Sequence, residues 1–136
     1  MAHYRGLSIA VLSGKDALPM YDDPEMDGDG DPNEVIRYIE ATTGAKFELH
    51  VTLDSSFAWD QSNTVRITVV YDGARSAWCH SISRASPPTN GAGRYLVKFD
   101  TVPRWCQSSQ QWKVGFLSFG ALEASTLSRS LKRDYC

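Results

Sequence analysis

A chain of 136 residues, 42% of them hydrophobic, with 14 Lys and Arg against 16 Asp and Glu, is one domain's worth and folds without disulfide or metal staples. Its formal net charge of -2 offers no basic field for phosphates, which excludes nucleic acid as a default partner. The longest apolar run, Leu7–Leu12, is interrupted by Ser8 and is too short for a membrane span or a signal-peptide core.

The first predicted element is "YRGLSIAVL", a strand with Leu7, Ile9 and Val11 on one face. Next comes "GKDALPMYD", where Pro19 penalises a helix. The acidic run after it holds Asp22, Asp23, Glu25, Asp27, Asp29, Asp31 and Glu34. Counted from Asp23, it places acidic residues and Gly28 at the positions that a calcium loop uses. Against that reading stand Glu25 at a position favouring Asp or Asn, Gly30 where an apolar residue is usual, and Pro32. The run therefore reads as an acidic surface spacer, and no metal is expected. The segment "VIRYIEA" reads as a strand, followed by a tight turn at Thr43-Gly44.

In "KFELHVTL" the residues Phe47, Leu49, Val51 and Leu53 alternate with polar ones, which marks a strand with one buried face. "VRITVVYDGARSAWCHSI" reads as a hairpin turning at Asp72-Gly73. Pairing Tyr71 with Ala74 sets Ile67 opposite Trp78 and Val65 opposite His80. Val65, Ile67, Val69, Trp78 and His80 then share one face, with Trp78 in the core and His80 at its edge. "RASPPTNGAG" is loop, and "RYLVKFD" is a strand burying Tyr95, Val97 and Phe99. "VPRWCQSSQQ" is a turn or bulged connection, and "WKVGFLSFG", apolar on both faces, suits a central strand. The expected fold is all-β, an antiparallel sandwich or jelly-roll-like barrel of about seven strands over residues 1–120. Residues 121–136 form a tail or linker of helix-forming composition, with Leu127 and Leu131 on one helical face.

"LPMYDDPE", the acidic gap, "VIRYIEATTGAKFEL" and "DSSFAW" together resemble the N-terminal part of a fungal family of uncharacterised proteins that share a domain of unknown function. The resemblance spans Tyr4 to Phe99 and centres on Tyr38, Ile39, Glu40, Ala41, Gly44 and Phe47. It implies a strand at "YIEA", an acidic gap of variable length, and members generally longer than this chain. It carries no activity and no catalytic residue.

The remaining constellations are weighed singly. Cys79, His80, Cys106 and His50 are zinc-ligand types, but adjacent Cys79 and His80 leave opposite faces of a strand, and no paired spacing supports a site. Neither a nucleophile elbow nor a complete phosphate loop occurs, so no catalytic residue and no cofactor is assigned. An enzyme would require His50 or His80 in a cleft beside a carboxylate. Trp59, Trp105, Trp112, Tyr21 and Phe57 fall near strand ends, where rings either cap the sandwich or form a binding platform. Cys79, Cys106 and Cys136 form no paired framework, which implies a reducing compartment, cytoplasm or nucleus.

The expectation is thus an intracellular, non-enzymatic interaction module. It would bind a basic protein segment or an added β-strand through the acidic residues from Asp22 to Glu34 with Trp59 and Trp105. A homodimer is compatible with open strand edges. The alternative is a sandwich that takes carbohydrate or calcium through the same rings and loop.

Overall fold

The computed structural model describes residues 1–23, 34–59, 61, 63–71, 74–89 and 92–120. Among these the secondary structure is all β, and no helix is long and apolar enough to cross a membrane. The strands are β1 (Ala2–Tyr4), β2 (Leu7–Ser13), β3 (Asp16–Ala17), β4 (Met20–Asp22), β5 (Arg37–Ile39), β6 (Glu48–Leu53), β7 (Thr64–Tyr71), β8 (Ala74–Ser83), β9 (Tyr95–Phe99), β10 (Thr101–Cys106) and β11 (Gln111–Phe116). Every named pairing is antiparallel.

The main sheet runs β1-β2-β6-β9, with β3 paired to β2. Its register aligns Ile9, Val51 and Val97 across three strands, and likewise Val11, Leu49 and Phe99. Directly opposed residues of an antiparallel ladder share a face, so the alternation seen in the sequence becomes one continuous apolar surface. Val51, Leu53, Val97 and Phe99 form the core with Ile82 of β8, and Val65, Ile67 and Val69 of β7 pack against it. The β7–β8 ribbon is thus the second layer of a sandwich-like arrangement, and the sheets do not close into a barrel. Complete burial of Leu53 contributes about 1.5–3 kcal/mol.

Three details differ from the sequence reading. "YRGLSIAVL" is two strands, because Arg5 and Gly6 both take positive φ and turn β1 back onto β2, the pattern of a type I′ hairpin. In the β7–β8 ribbon Tyr71 does pair with Ala74, while Asp72 and Gly73 lie outside the described residues. Between the pairs Val70↔Arg75 and Thr68↔Cys79, however, Val69 stands against Ser76, Ala77 and Trp78. Ile67 therefore faces His80, not Trp78, and Val65 faces Ile82, not His80. A slip of two residues keeps side-chain parity, and Val65, Ile67 and Val69 pack against the core, but His80 is exposed and the side chain of Trp78 lies outside those described. Finally, "VPRWCQSSQQ" is no mere connection. Thr101–Cys106 is strand β10, and it pairs with β11 along its full length. The tail from residue 121 onward, with its expected helix, lies outside the described residues.

Candidate functional site

β4 and β5 bring the two ends of the acidic run together. Tyr21 lies opposite Tyr38, and Asp22 opposite Arg37. Arg37 Nη1 stands 3.1 Å from Asp22 Oδ1, and the Tyr38 hydroxyl donates to Asp23 Oδ2 at 3.0 Å. That hydrogen bond to a carboxylate holds the Tyr38 pKa above its ordinary 10.0. The flanks are strands where a calcium loop of the helix-loop-helix type has helices, and Asp23 is already an acceptor for Tyr38. Glu34 is exposed; Glu25, Asp27, Asp29 and Asp31 lie outside the described residues. Among the described residues no group of His, Cys, Asp and Glu is arranged to hold a metal ion.

Trp59 is half-buried against the core. It meets Phe57 edge-on at 5.3 Å and Tyr95 at 5.8 Å between ring centroids. The backbone there is set by Asp54, whose Oδ1 accepts from the Ser56 amide at 2.7 Å and whose carbonyl accepts from Phe57 N at 3.1 Å. "DSSFAW" is therefore a turn that seats two rings over one end of the core. Trp105 stands on β10, paired in register with Trp112 of β11. The two tryptophans named as partner-binding residues thus sit in different settings, the core end for Trp59 and the β10–β11 ribbon for Trp105.

His50 Nε2 lies 2.7 Å from Glu48 Oε2 on the same face of β6. His80 is exposed, not a core-edge residue, and lines a cleft with Val97, Lys98, Phe99, Asp100 and Thr101. His50 thus has a carboxylate within hydrogen-bond reach, and His80 shares its cleft with the carboxylate of Asp100. Cys79 is exposed and Cys106 buried, both as free thiols.

Sequence reasoning named Trp112 as a candidate ring but missed that the whole of β11 is an exposed surface. All six residues from Gln111 to Phe116 are exposed. Its alternation places Trp112, Val114 and Phe116 on one face, at 63%, 66% and 66% exposure. Lys46 Nζ sits 4.2 Å from the Phe116 ring centroid, and beyond Phe116 an open cleft of about 390 Å³ is lined by Phe47, Val70, Val102, Leu117 and Phe119. The strand signal was present in "WKVGFLSFG", but composition could not show that among the described residues the strand has one neighbour instead of two. Such a concentration of large exposed side chains is what a contact surface requires.

Residues 6–134 match the family described as a domain of unknown function (DUF7918), and the chain belongs to that family. No curated protein and no solved structure matches the chain.

Proposed function

We propose that this DUF7918 domain is a non-enzymatic protein-interaction module whose docking surface is the outward face of the β10–β11 ribbon. The observation that carries the reading is the row Trp112, Val114 and Phe116, each about two-thirds exposed on one strand face. Water contacts these rings and branched carbons at a cost of about 25 cal/mol per Å², which a partner surface would remove. Trp is also the residue type most enriched among binding hot spots. Asp23 and the exposed Glu34, at the two ends of the acidic run, supply negative charge suited to steering a basic partner region, with Asp22 paired to Arg37. We assign the module to the cytoplasm or nucleus on its cysteine usage, and to a fungal source on the "YIEATTGAKF" motif.

The test is affinity capture from a fungal lysate with wild type and with Val114→Asp, a substitution at an exposed position that leaves the core untouched. The expected outcome is a reproducible partner retained by the wild type and lost by the variant. Equal capture by both would remove the ribbon from the reading.

A further inference from the structure

β11 has an edge as well as a face. Among the described residues its only strand partner is β10. Just past Phe116, the opposite edge of the same chain is taken. Phe47 N donates to Leu117 O at 3.0 Å, Phe119 N donates to Ala45 O at 3.0 Å, and Gly44 N donates to Phe119 O at 2.8 Å. There Leu117 is buried and Phe119 half-buried. Pairing on this edge therefore accompanies cover, and along Gln111–Phe116 the cover stops. On the β10 side Leu117 N donates to Asp100 O at 3.3 Å, continuing the ladder. Backbone groups of alternate residues point to the same edge, so Lys113 and Gly115 face β10, whereas Val114, opposite Pro103, and Phe116 turn their amides to the open edge.

The charge on the ribbon has one sign. Between Thr101 and Gly120 the charged residues are Arg104 and Lys113, and the register places them directly opposite each other. Lys46 adds a further cation at the Phe116 end, where Glu48 and Asp100 share its cleft and limit the positive field. Lys113 lies in mid-strand and is exposed. A strand laid along the open edge of β11 presents alternate side chains to the two ribbon faces. One set would meet Trp112, Val114 and Phe116; the other would meet Lys113.

We propose that the edge of β11 takes up an extended segment of another protein in which apolar residues alternate with Asp or Glu. The inference rests on the ribbon being the docking surface and adds to it the backbone mode and the chemistry of the partner. A second copy pairing its own β11 about Lys113 would set two lysines side by side, which disfavours that register, and a second copy contributes no acidic residue from Gln111 to Phe116 to meet Lys113.

The experiment uses three labelled synthetic peptides of about ten residues, strand length for a globular protein. One alternates Val and Phe with Glu, one replaces each Glu by Lys, and one has the composition of the first with its Glu residues in a block. Binding to the full chain is read by fluorescence anisotropy, and amide exchange at Val114 and Phe116 is followed with and without peptide. The alternating Glu peptide should bind about tenfold tighter than the other two and slow exchange at both amides. Lys113→Glu should transfer the preference to the Lys peptide, and Val114→Asp should abolish binding of all three.

If Val114→Asp abolishes binding but Lys113→Glu leaves the order unchanged, the acidic partner is overturned while the docking surface stands. If Val114→Asp has no effect, or no peptide binds, both fail. Slow exchange at Val114 and Phe116 in the free chain would mean that the edge is already occupied, overturning the proposal. Sedimentation then tells whether the occupant is a second copy or the chain's own residues.

Discussion

The ammonium of Lys46 stands 4.2 Å from the ring centroid of Phe116, joining the segment before β6 to the end of β11 across the cleft that also holds Phe47 and Leu117. A cation over an aromatic face at an exposed site is worth about 0.5–1 kcal/mol. A double-mutant cycle of Lys46→Met and Phe116→Leu, followed by urea denaturation, should return a coupling energy in that range. Strict additivity of the two single changes would show that the ring and the ammonium act independently.

Gly6 has φ +80° and lies so close to the following turn that a Cβ built on it would meet Phe57 Cα and N at 2.6 Å. These are backbone atoms, held in place by Asp54 N donating to Gly6 O at 2.9 Å and Phe57 N donating to Asp54 O at 3.1 Å. Neither side can yield cheaply. Gly6→Ala should cost more than about 2 kcal/mol, since the left-handed conformation alone costs an L-residue about 1–2 kcal/mol. Gly14, at φ +67° with nothing within 4 Å of its added Cβ, is the control, and Gly14→Ala should cost about half as much or less. Equal thermal shifts for the two variants would contradict the close approach at Phe57.

The pairing of β6 with β9 was legible because both strands alternate and bury one face, which fixes the register that matches Val51 to Val97; β2 joins them although it buries both Ala10 and Val11 and leaves Ile9 exposed. The β7–β8 bulge was not legible, since Ser76, Ala77 and Trp78 include no Gly or Pro to announce extra residues. The turn at Arg5-Gly6 was hidden because the strands on either side of it read as one pattern, and its positive φ at Arg5 is uncommon outside Gly, Asn and Asp. β11 shows the deeper limit. An apolar strand has the same composition whether it lies at the centre of a sheet or on an open ribbon, because neighbours are a property of topology and not of the segment. Of the named site residues, Arg37 and Tyr38 fall on the strand read from "VIRYIEA", but Asp22, read as loop, is on strand β4; Trp112 was named as a candidate ring, while its neighbours Val114 and Phe116 on the exposed row were not.

Tyr38 links ionisation to the β4–β5 ribbon. The Asp23 carboxylate, by accepting the hydroxyl and by its charge, raises the Tyr38 pKa above 10.0. A group whose folded pKa is raised contributes stability below its unfolded value, and loses that contribution as pH climbs through the folded value. The ribbon should therefore be unaffected up to pH 10.0 and weaken above it. Absorbance titration at the tyrosinate band, taken as wild type minus Tyr38→Phe, should show one phenol titrating above 10.0, and Asp23→Asn should bring it back toward that value. A difference curve centred at or below 10.0 would show the hydrogen bond to be absent in solution.

Leu53 and Val114 are both apolar strand residues, and they separate core from surface in one comparison. Leu53 is fully buried between Leu7 and Tyr95 in the register, within the cluster that joins the sheet to Ile82. Leu53→Ala should lower stability by about 2–5 kcal/mol, the range for opening a cavity in a packed core. Val114 is 66% exposed, so Val114→Ala should change stability by less than about 0.5 kcal/mol. The two values, measured by urea denaturation of the isolated chain, distinguish a strand that holds the fold from one displayed on it. If Val114→Ala cost as much as Leu53→Ala, β11 would be part of the core in solution, and the ribbon face would not be available to a partner.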